Sequence, residues 1–281
     1  MLDKSLLQPI LDELPAVSSK EAYEASWRRW QAAGGPVRRK AMVHLTGDQL
    51  REVRTKLAAQ YAPATVKRCF IVAARVWASL EETEEKPTPF KRVRVVVGDN
   101  TPQWNVLHEG ELKKVADALQ LKRKLLERAV ILTLGLQGWR RHVVCDLKWC
   151  DVRQTEDGFV AEVKSKRGRV LLQHVHHEVM AAVRVLTSTR PPGPEEPFIS
   201  GPDGGHLTPI QVYRMVVHSV QLVLGRKVTP HGLRATFIST VVRQKGDVML
   251  ASRLAGHRQL ATTERYLRWQ MTGTKRDEVK L

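Results

Sequence analysis

Cysteine is scarce: Cys69, Cys145 and Cys150 are the three in a chain of 281 residues. An odd number of thiols in apolar or helix-like surroundings predicts reduced cysteines in a cytosolic compartment and excludes a disulfide scaffold. No Cys-x-x-Cys pair occurs, so a zinc site built from His142, Cys145 and Cys150 lacks supporting ligand spacing. Long apolar runs are missing too. Residues 1–19 carry Asp3, Asp12 and Glu13 where a signal peptide or anchor would be apolar, so no membrane partner is expected. Neither a Gly-rich phosphate loop nor an acidic metal-ligand cluster is visible, so no cofactor is expected. Acidic residues are the minority, 29 against 46 Lys+Arg, for a net charge of +17 and a pI near 10.1. This excess argues against an ordinary neutral enzyme and for a polyanionic partner; with a membrane surface disfavoured, that partner is nucleic acid.

What is present is enough apolar material for one large core or two smaller ones, since 42% of the residues are hydrophobic. From Pro87 to Pro102 the helical periodicity breaks, with Pro87, Pro89, a basic stretch (Lys91, Arg92, Arg94) and Gly98-Asp99-Asn100. The pattern predicts a helical domain over residues 1–95, a linker over 96–103 and a second domain over 104–281 that ends in a short tail. In the first domain Ser18-x-x-Glu21 and Thr46-x-x-Gln49 read as capping boxes. They precede the stripes Tyr23, Trp27, Trp30 and Leu50, Val53, Leu57, and Val66, Phe70, Ala74, Trp77 forms a third. Lys67, Arg68 and Arg75 lie away from the apolar stripe, where the net charge makes them candidate DNA contacts.

After the linker, helices are predicted over 109–119, 122–137, 174–187, 208–224, 233–244, 248–254 and 262–269. Short strands are expected over 152–172, with turns at Asp157-Gly158 and Arg167-Gly168. His174, His176 and His177 cluster in sequence, but no Cys or Asp stands at ligand spacing beside them, so a solvated or DNA-facing helix start is expected. The fold class is therefore mainly α with a small β-sheet.

The strongest local signal is an ordered set. Thr229-Pro230-His231-Gly232-Leu233-Arg234 comes first, then Leu254-Ala255-Gly256-His257, then Thr262-Thr263-Glu264-Arg265-Tyr266. One His-x-x-Arg carries no information in so basic a chain, but the series does. It resembles the tyrosine recombinase, or phage integrase, family, which carries His-x-x-Arg, then Leu-Gly-His, then a Tyr nine positions after that His, the spacing of His257 and Tyr266. The family also places an Arg in a Gly-x-Arg segment ahead of Leu-x-Trp-x-Asp. Gly138-Trp139-Arg140 and Leu147-Lys148-Trp149-Cys150-Asp151 match, which selects Arg140 over Arg141. A β-hairpin Lys is expected between the two Arg boxes: Lys166, with Lys164 as competitor. One position departs, since Val143 stands where the family usually has an acidic residue, and Asp146, a helical turn on, is the candidate replacement.

The resemblance implies a helical core-binding domain and an α+β catalytic domain that form a basic clamp around duplex DNA carrying a specific core site. A cytoplasmic, nucleoid-associated homotetramer would work on two such duplexes. Tyr266 would be the nucleophile and form a 3′-phosphotyrosyl link, while Arg140 and Arg234 would clamp the phosphate with paired donors that cannot lose their protons. Lys166 would protonate the leaving 5′ oxygen, His231 would accept or share the Tyr proton, and His257 would donate to the phosphate. A type IB topoisomerase, a telomere resolvase and a non-catalytic DNA-binding regulator with the same fold are the alternatives. In such recombinases a C-terminal segment packs on the neighbouring protomer, and Lys275–Leu281 is the candidate here.

Overall fold

The computed structural model describes residues 5–15, 17–93, 95, 105–164, 170–257 and 263. The expected linker, the turn at Arg167-Gly168 and the C-terminal tail lie outside the described residues. The chain divides into two compact units, Met1–Asn100 and Thr101–Leu281.

The first unit is helical: α1 (Gln8–Asp12), α2 (Val17–Ala32), α3 (Arg39–Val43), α4 (Gly47–Gln60) and α5 (Pro63–Ala78), then two short 3-10 turns. Thr46 caps α4 as expected: its hydroxyl accepts from the Gln49 N–H, and the Thr46 N–H donates to Gln49 Oε1 at 2.9 Å. Helix α2 begins at Val17, so Ser18 lies inside its first turn and not at a cap. Trp27 and Trp30 on α2, Leu50 and Leu57 on α4, and Val72 and Ala73 on α5 have no exposed surface. Trp30 meets Phe70 edge-to-face with centroids 5.6 Å apart and donates its indole N–H to the Pro36 carbonyl at 3.1 Å. The buried face of α5 is wider than the expected stripe, taking in Cys69, Val72, Ala73 and Val76. The reason is that α5 packs against both α2 and α4.

The second unit contains α6 (Glu111–Leu121), α7 (Leu125–Gln137), α8 (Arg141–Asp146), three strands, α9 (His177–Leu186), α10 (Pro209–Leu224), α11 (Pro230–Lys245) and α12 (Val248–Leu254). Helix α7 is its hub. It runs buried from Ala129 to Gly135 and packs against α6, α9, α10 and α11, as a helix apolar all round must. The strands β1 (Val152–Thr155), β2 (Gly158–Lys164) and β3 (Val170–Val175) form one antiparallel sheet in that order, with Val152 opposite Ala161 and Phe159 opposite Val175.

Two boundaries differ from the periodicity. Strand β3 runs to Val175, so His174 is an exposed strand residue, and His176 caps α9 by accepting from the Glu178 N–H. Helix α11 starts at Pro230, capped by the Thr229 hydroxyl, so His231 and Arg234 belong to its first turns. Pro is suited to that first position because its missing N–H would have no helical partner there.

Candidate active site

Three chain segments converge in the second unit. The first is the break between α7 and α8, where Gly138 takes a left-handed conformation (φ +60°) and Arg140 is extended ahead of α8. A side chain at Gly138 would be strained twice, by its φ and by a Cβ lying 2.2 Å from Phe237 Cδ1. The second is the start of α11, with His231 and Arg234. The third is the turn after α12, where Gly256 (φ +63°) has Leu171 of β3 against it and leads to His257.

Arg234 joins all three. It is 2% exposed, and its two Nη groups donate to the Gly138 carbonyl and the Ala255 carbonyl. A guanidinium does this with a rigid planar fork of donors. Arg140, exposed, points Nη1 toward the Gly256 carbonyl at 3.5 Å. Gln173 of β3 lashes the sheet to the same place: Oε1 accepts from Trp139 Nε1 at 2.5 Å and Nε2 donates to the Leu254 carbonyl at 2.6 Å.

The electrostatics follow from this crowding. Loss of water around the ring, then the cations Arg234 and Arg140, push His231 down to about 4, although the residue keeps an exposed face. The same causes in the same order, with His231 added, push His257 down to about 3. Both imidazoles are therefore neutral near pH 7 and face two permanent cations, an arrangement that suits an anion. His257 is held at both ends, by its N–H to the Ser252 carbonyl at 2.9 Å and by Nδ1 against Thr263 Oγ1 at 2.7 Å.

Residues 105–272 match the family described as the phage integrase family. This chain belongs to it. Among curated relatives, the tyrosine recombinase XerC of Myxococcus xanthus is 25% identical over 224 residues, 75% of this chain and 73% of the relative. The tyrosine recombinase XerA of Pyrococcus furiosus is 27% identical over 164 residues, 58% of this chain and 56% of that protein. Two solved structures share the fold. One is a lambda integrase tetramer bound to a Holliday junction (TM-score 0.75, 14% identity, 98% of this chain and 79% of that one). The other is the XerH site-specific recombinase bound to a palindromic difH substrate (TM-score 0.74, 16% identity, 92% and 78%). The chain is a site-specific tyrosine recombinase, a DNA strand transferase, and neither the topoisomerase-like nor the regulator alternative is favoured.

Of the six residues named from the sequence of this integrase-family chain, the structure brings together Arg140, His231, Arg234 and His257; Lys166 and Tyr266 lie outside the described residues. Lys164, the competing lysine, is paired with Asp151 at 3.3 Å. Asp146 does not replace the missing acid at Val143. It is exposed, forms no ion pair with Arg140, and borders a depression with Val143, Lys148 and Glu195 that neither Arg140 nor Arg234 lines. Val143 itself is buried in the core beside Arg140 and Arg234. A larger depression of the unit, lined by Leu112, Leu132 and Arg243 among others, contains none of the four that are described.

Lys67 and Arg68 are exposed on α5. Arg75 is already engaged, with Nη1 donating to the Tyr23 hydroxyl at 3.0 Å and Nη2 to Glu13 at 3.1 Å. Cys145 is buried, which lifts its thiol to about 11, and among the described residues no group of His, Cys, Asp and Glu could hold a metal. No helix among them is long and apolar enough to cross a membrane. Sequence reasoning missed Gln173, whose link to Trp139 and Leu254 leaves no local pattern. It also passed over Thr263, although that residue stands inside the quoted Tyr segment.

Proposed function

We propose that this recombinase cuts and rejoins duplex DNA at a specific core site through a 3′-phosphotyrosyl intermediate, with Tyr266 as nucleophile and Arg140, Lys166, His231, Arg234 and His257 as its partners. The observation that carries the reading is the convergence of two guanidinium groups and two neutral imidazoles from three chain segments, with Arg234 bonded to the carbonyls of two of them. In the forward step Tyr266 Oη bonds to the scissile phosphorus as the bond to the 5′ oxygen breaks. The Tyr proton passes to His231, and Lys166 supplies a proton to the departing oxygen. Arg140, Arg234 and an N–H of His257 neutralise charge on the non-bridging oxygens, in a site that has already shed much of its water. The phosphotyrosyl bond conserves the energy of the phosphodiester, so a 5′ hydroxyl of the partner duplex restores the backbone by the reverse path without a nucleotide.

Arrival of the phosphate changes the imidazoles. Its negative charge between Arg140 and Arg234 offsets the cations that hold both rings so low, and both pKa values rise toward the ordinary 6.5. His231 thus becomes a better base when substrate is in place. The lambda integrase bound to a Holliday junction is a tetramer, and a homotetramer on two duplexes is the assembly this reading implies here. The net charge of +17 fits a cytoplasmic protein held on the nucleoid.

The test is a nicked duplex that traps the covalent complex. Wild-type protein should form an adduct whose mapped DNA end is a 3′ phosphate on Tyr266, in EDTA and without nucleotide. Tyr266→Phe should bind the duplex normally and lower adduct yield at least about a thousand-fold, as loss of a nucleophile does elsewhere. An adduct on another residue, or full yield from the Phe variant, defeats the assignment.

A further inference from the structure

His257 sits in a site where its tautomer decides its use. A phosphate oxygen only accepts hydrogen bonds, and a neutral imidazole carries one N–H. If the proton is on Nδ1, the ring presents a lone pair from Nε2 and repels the phosphate; if it is on Nε2, the ring donates. For Nε2 to donate to the phosphate, Nδ1 must be left as an acceptor, so the group that faces Nδ1 has to be one that can donate, as a hydroxyl can and a carbonyl cannot.

What faces Nδ1 is the hydroxyl of Thr263, at 2.7 Å. Thr263 has no exposed surface, and a buried hydroxyl without a partner would be costly, so the pair is strongly favoured. The ring has little freedom to seek another arrangement, since its backbone N–H is bonded to the Ser252 carbonyl and Gly256 before it is turned by a left-handed φ. In sequence Thr263 is three positions ahead of Tyr266.

We propose that Thr263 is a positioning residue: its hydroxyl donates to His257 Nδ1, holds the Nε2–H tautomer toward the scissile phosphate, and links the phosphate-binding histidine to the segment that carries the nucleophile. This rests on the reading of His257 as a donor to the phosphate. Low basicity of His257 supports it, because a ring that stays neutral depends on its tautomer whereas a protonated one would donate from both nitrogens.

The experiment is a double-mutant cycle read by single-turnover cleavage of the nicked duplex, with binding measured by mobility shift. Thr263→Val keeps the shape and removes the hydroxyl; Thr263→Ser keeps the hydroxyl and removes a methyl. Thr263→Val should slow cleavage about 10–100-fold, the range for lost orienting partners of a histidine at metal sites, with binding within about two-fold. Thr263→Ser should stay within a few-fold of wild type. In a His257→Ala background Thr263→Val should add no further loss, because its effect passes through the ring. Should the Val variant fail to fold, Thr263→Ala against Thr263→Ser makes the same contrast. Equal slowing by Thr263→Val in both backgrounds, or no slowing in either, overturns the proposal alone. Wild-type cleavage by His257→Ala overturns the reading beneath it, and the proposal with it.

Discussion

The two units bury different things. In the first, the buried polar side chains among the described residues are Ser26 and Thr83, and both bond to carbonyls of their own neighbourhood: Ser26 to Ala22 one turn back, Thr83 to Trp77 and Leu80. The rest is apolar, mostly Trp, Leu, Val and Ala with Ile10, Met42, Cys69 and Phe70, packed by shape. In the second, Arg234, Gln137, Thr133, Thr236, Ser239, Ser252 and Thr263 are buried, and several reach across the fold. Thr236 takes the Leu107 N–H from 129 positions away, Gln137 holds the His174 carbonyl, and Arg234 holds Gly138 and Ala255. A core that only has to exist can be apolar; one that brings cations and imidazoles together carries polar groups inward, and most of them find partners, the Ser239 hydroxyl being one that does not.

That contrast can be sharpened first at the lysine. Lys166→Ala should slow cleavage of an ordinary phosphodiester by about 10²–10⁴-fold, the usual worth of a general acid. A substrate with sulfur as the 5′ leaving atom should recover, since a thiolate departs without a proton. Lys164→Ala, whose ammonium is paired with Asp151, should be mild on both; rescue seen with Lys164→Ala instead would reassign the role.

Next come the cores. Trp30→Ala should cost about 3–5 kcal/mol by opening a cavity, and Trp30→Phe should recover much of it. Arg234→Met should cost a comparable amount, roughly 1–3 kcal/mol for each orphaned carbonyl, and abolish cleavage even where the protein is still folded. Denaturant melts alongside cleavage assays measure both; an Arg234→Met protein that cleaves normally would erase the distinction between the units.

Smaller is the effect of acid on stability. His231 and His257 are depressed in the folded state, to about 4 and about 3, so below about 6.5 the unfolded chain takes up protons that the folded one refuses. Stability contributed by their neutral state is present above 6.5 and is lost as pH falls toward those folded values. Melting temperatures between pH 7.5 and 5 should therefore decline, and decline less in His257→Ala. Saturating duplex should flatten the decline, because the phosphate raises both values.

Smallest are the single surface charges of α5. If Lys67 and Arg68 meet backbone phosphates, alanine at each should reduce the slope of log affinity against log salt by about 1. Arg75→Ala should leave that slope nearly unchanged and cost under about 1 kcal/mol of stability, since its guanidinium is bonded to Tyr23 and Glu13 at a partly exposed position. A full unit of slope from Arg75 would mean that it leaves those partners on DNA.

Much of this was legible in the chain itself. The resemblance of an ordered set of short segments to the tyrosine recombinase family marks Arg140, His231, Arg234 and His257, and neighbours within each segment set its local geometry: Gly138 turns left-handed, Pro230 opens a helix, Gly256 follows the end of one. The apolar stripes of α2, α4 and α5 were equally readable, since a 3.6-residue period reports a buried helix face directly. Helix starts were less so. Ser18 resembled a cap and fell inside α2, while Leu233 looked like the first residue of a helix that begins at Pro230, because capping depends on where the preceding chain comes from.

Residue types, their order and their spacing are local properties, and they determined the family, the fold class and the four polar residues that meet. Tertiary structure decided how those residues are held. Asp146 is too exposed to stand in for an acid at Val143, and Arg75 is spent on Tyr23 and Glu13. Arg234 ties two loops, at 96 and 21 positions' remove, and Gln173 joins β3 to Trp139 and Leu254. These bonds link positions far apart in the chain, and no period or spacing encodes them; they exist only once burial brings the segments together and leaves each polar group to find a partner or bear the cost of having none.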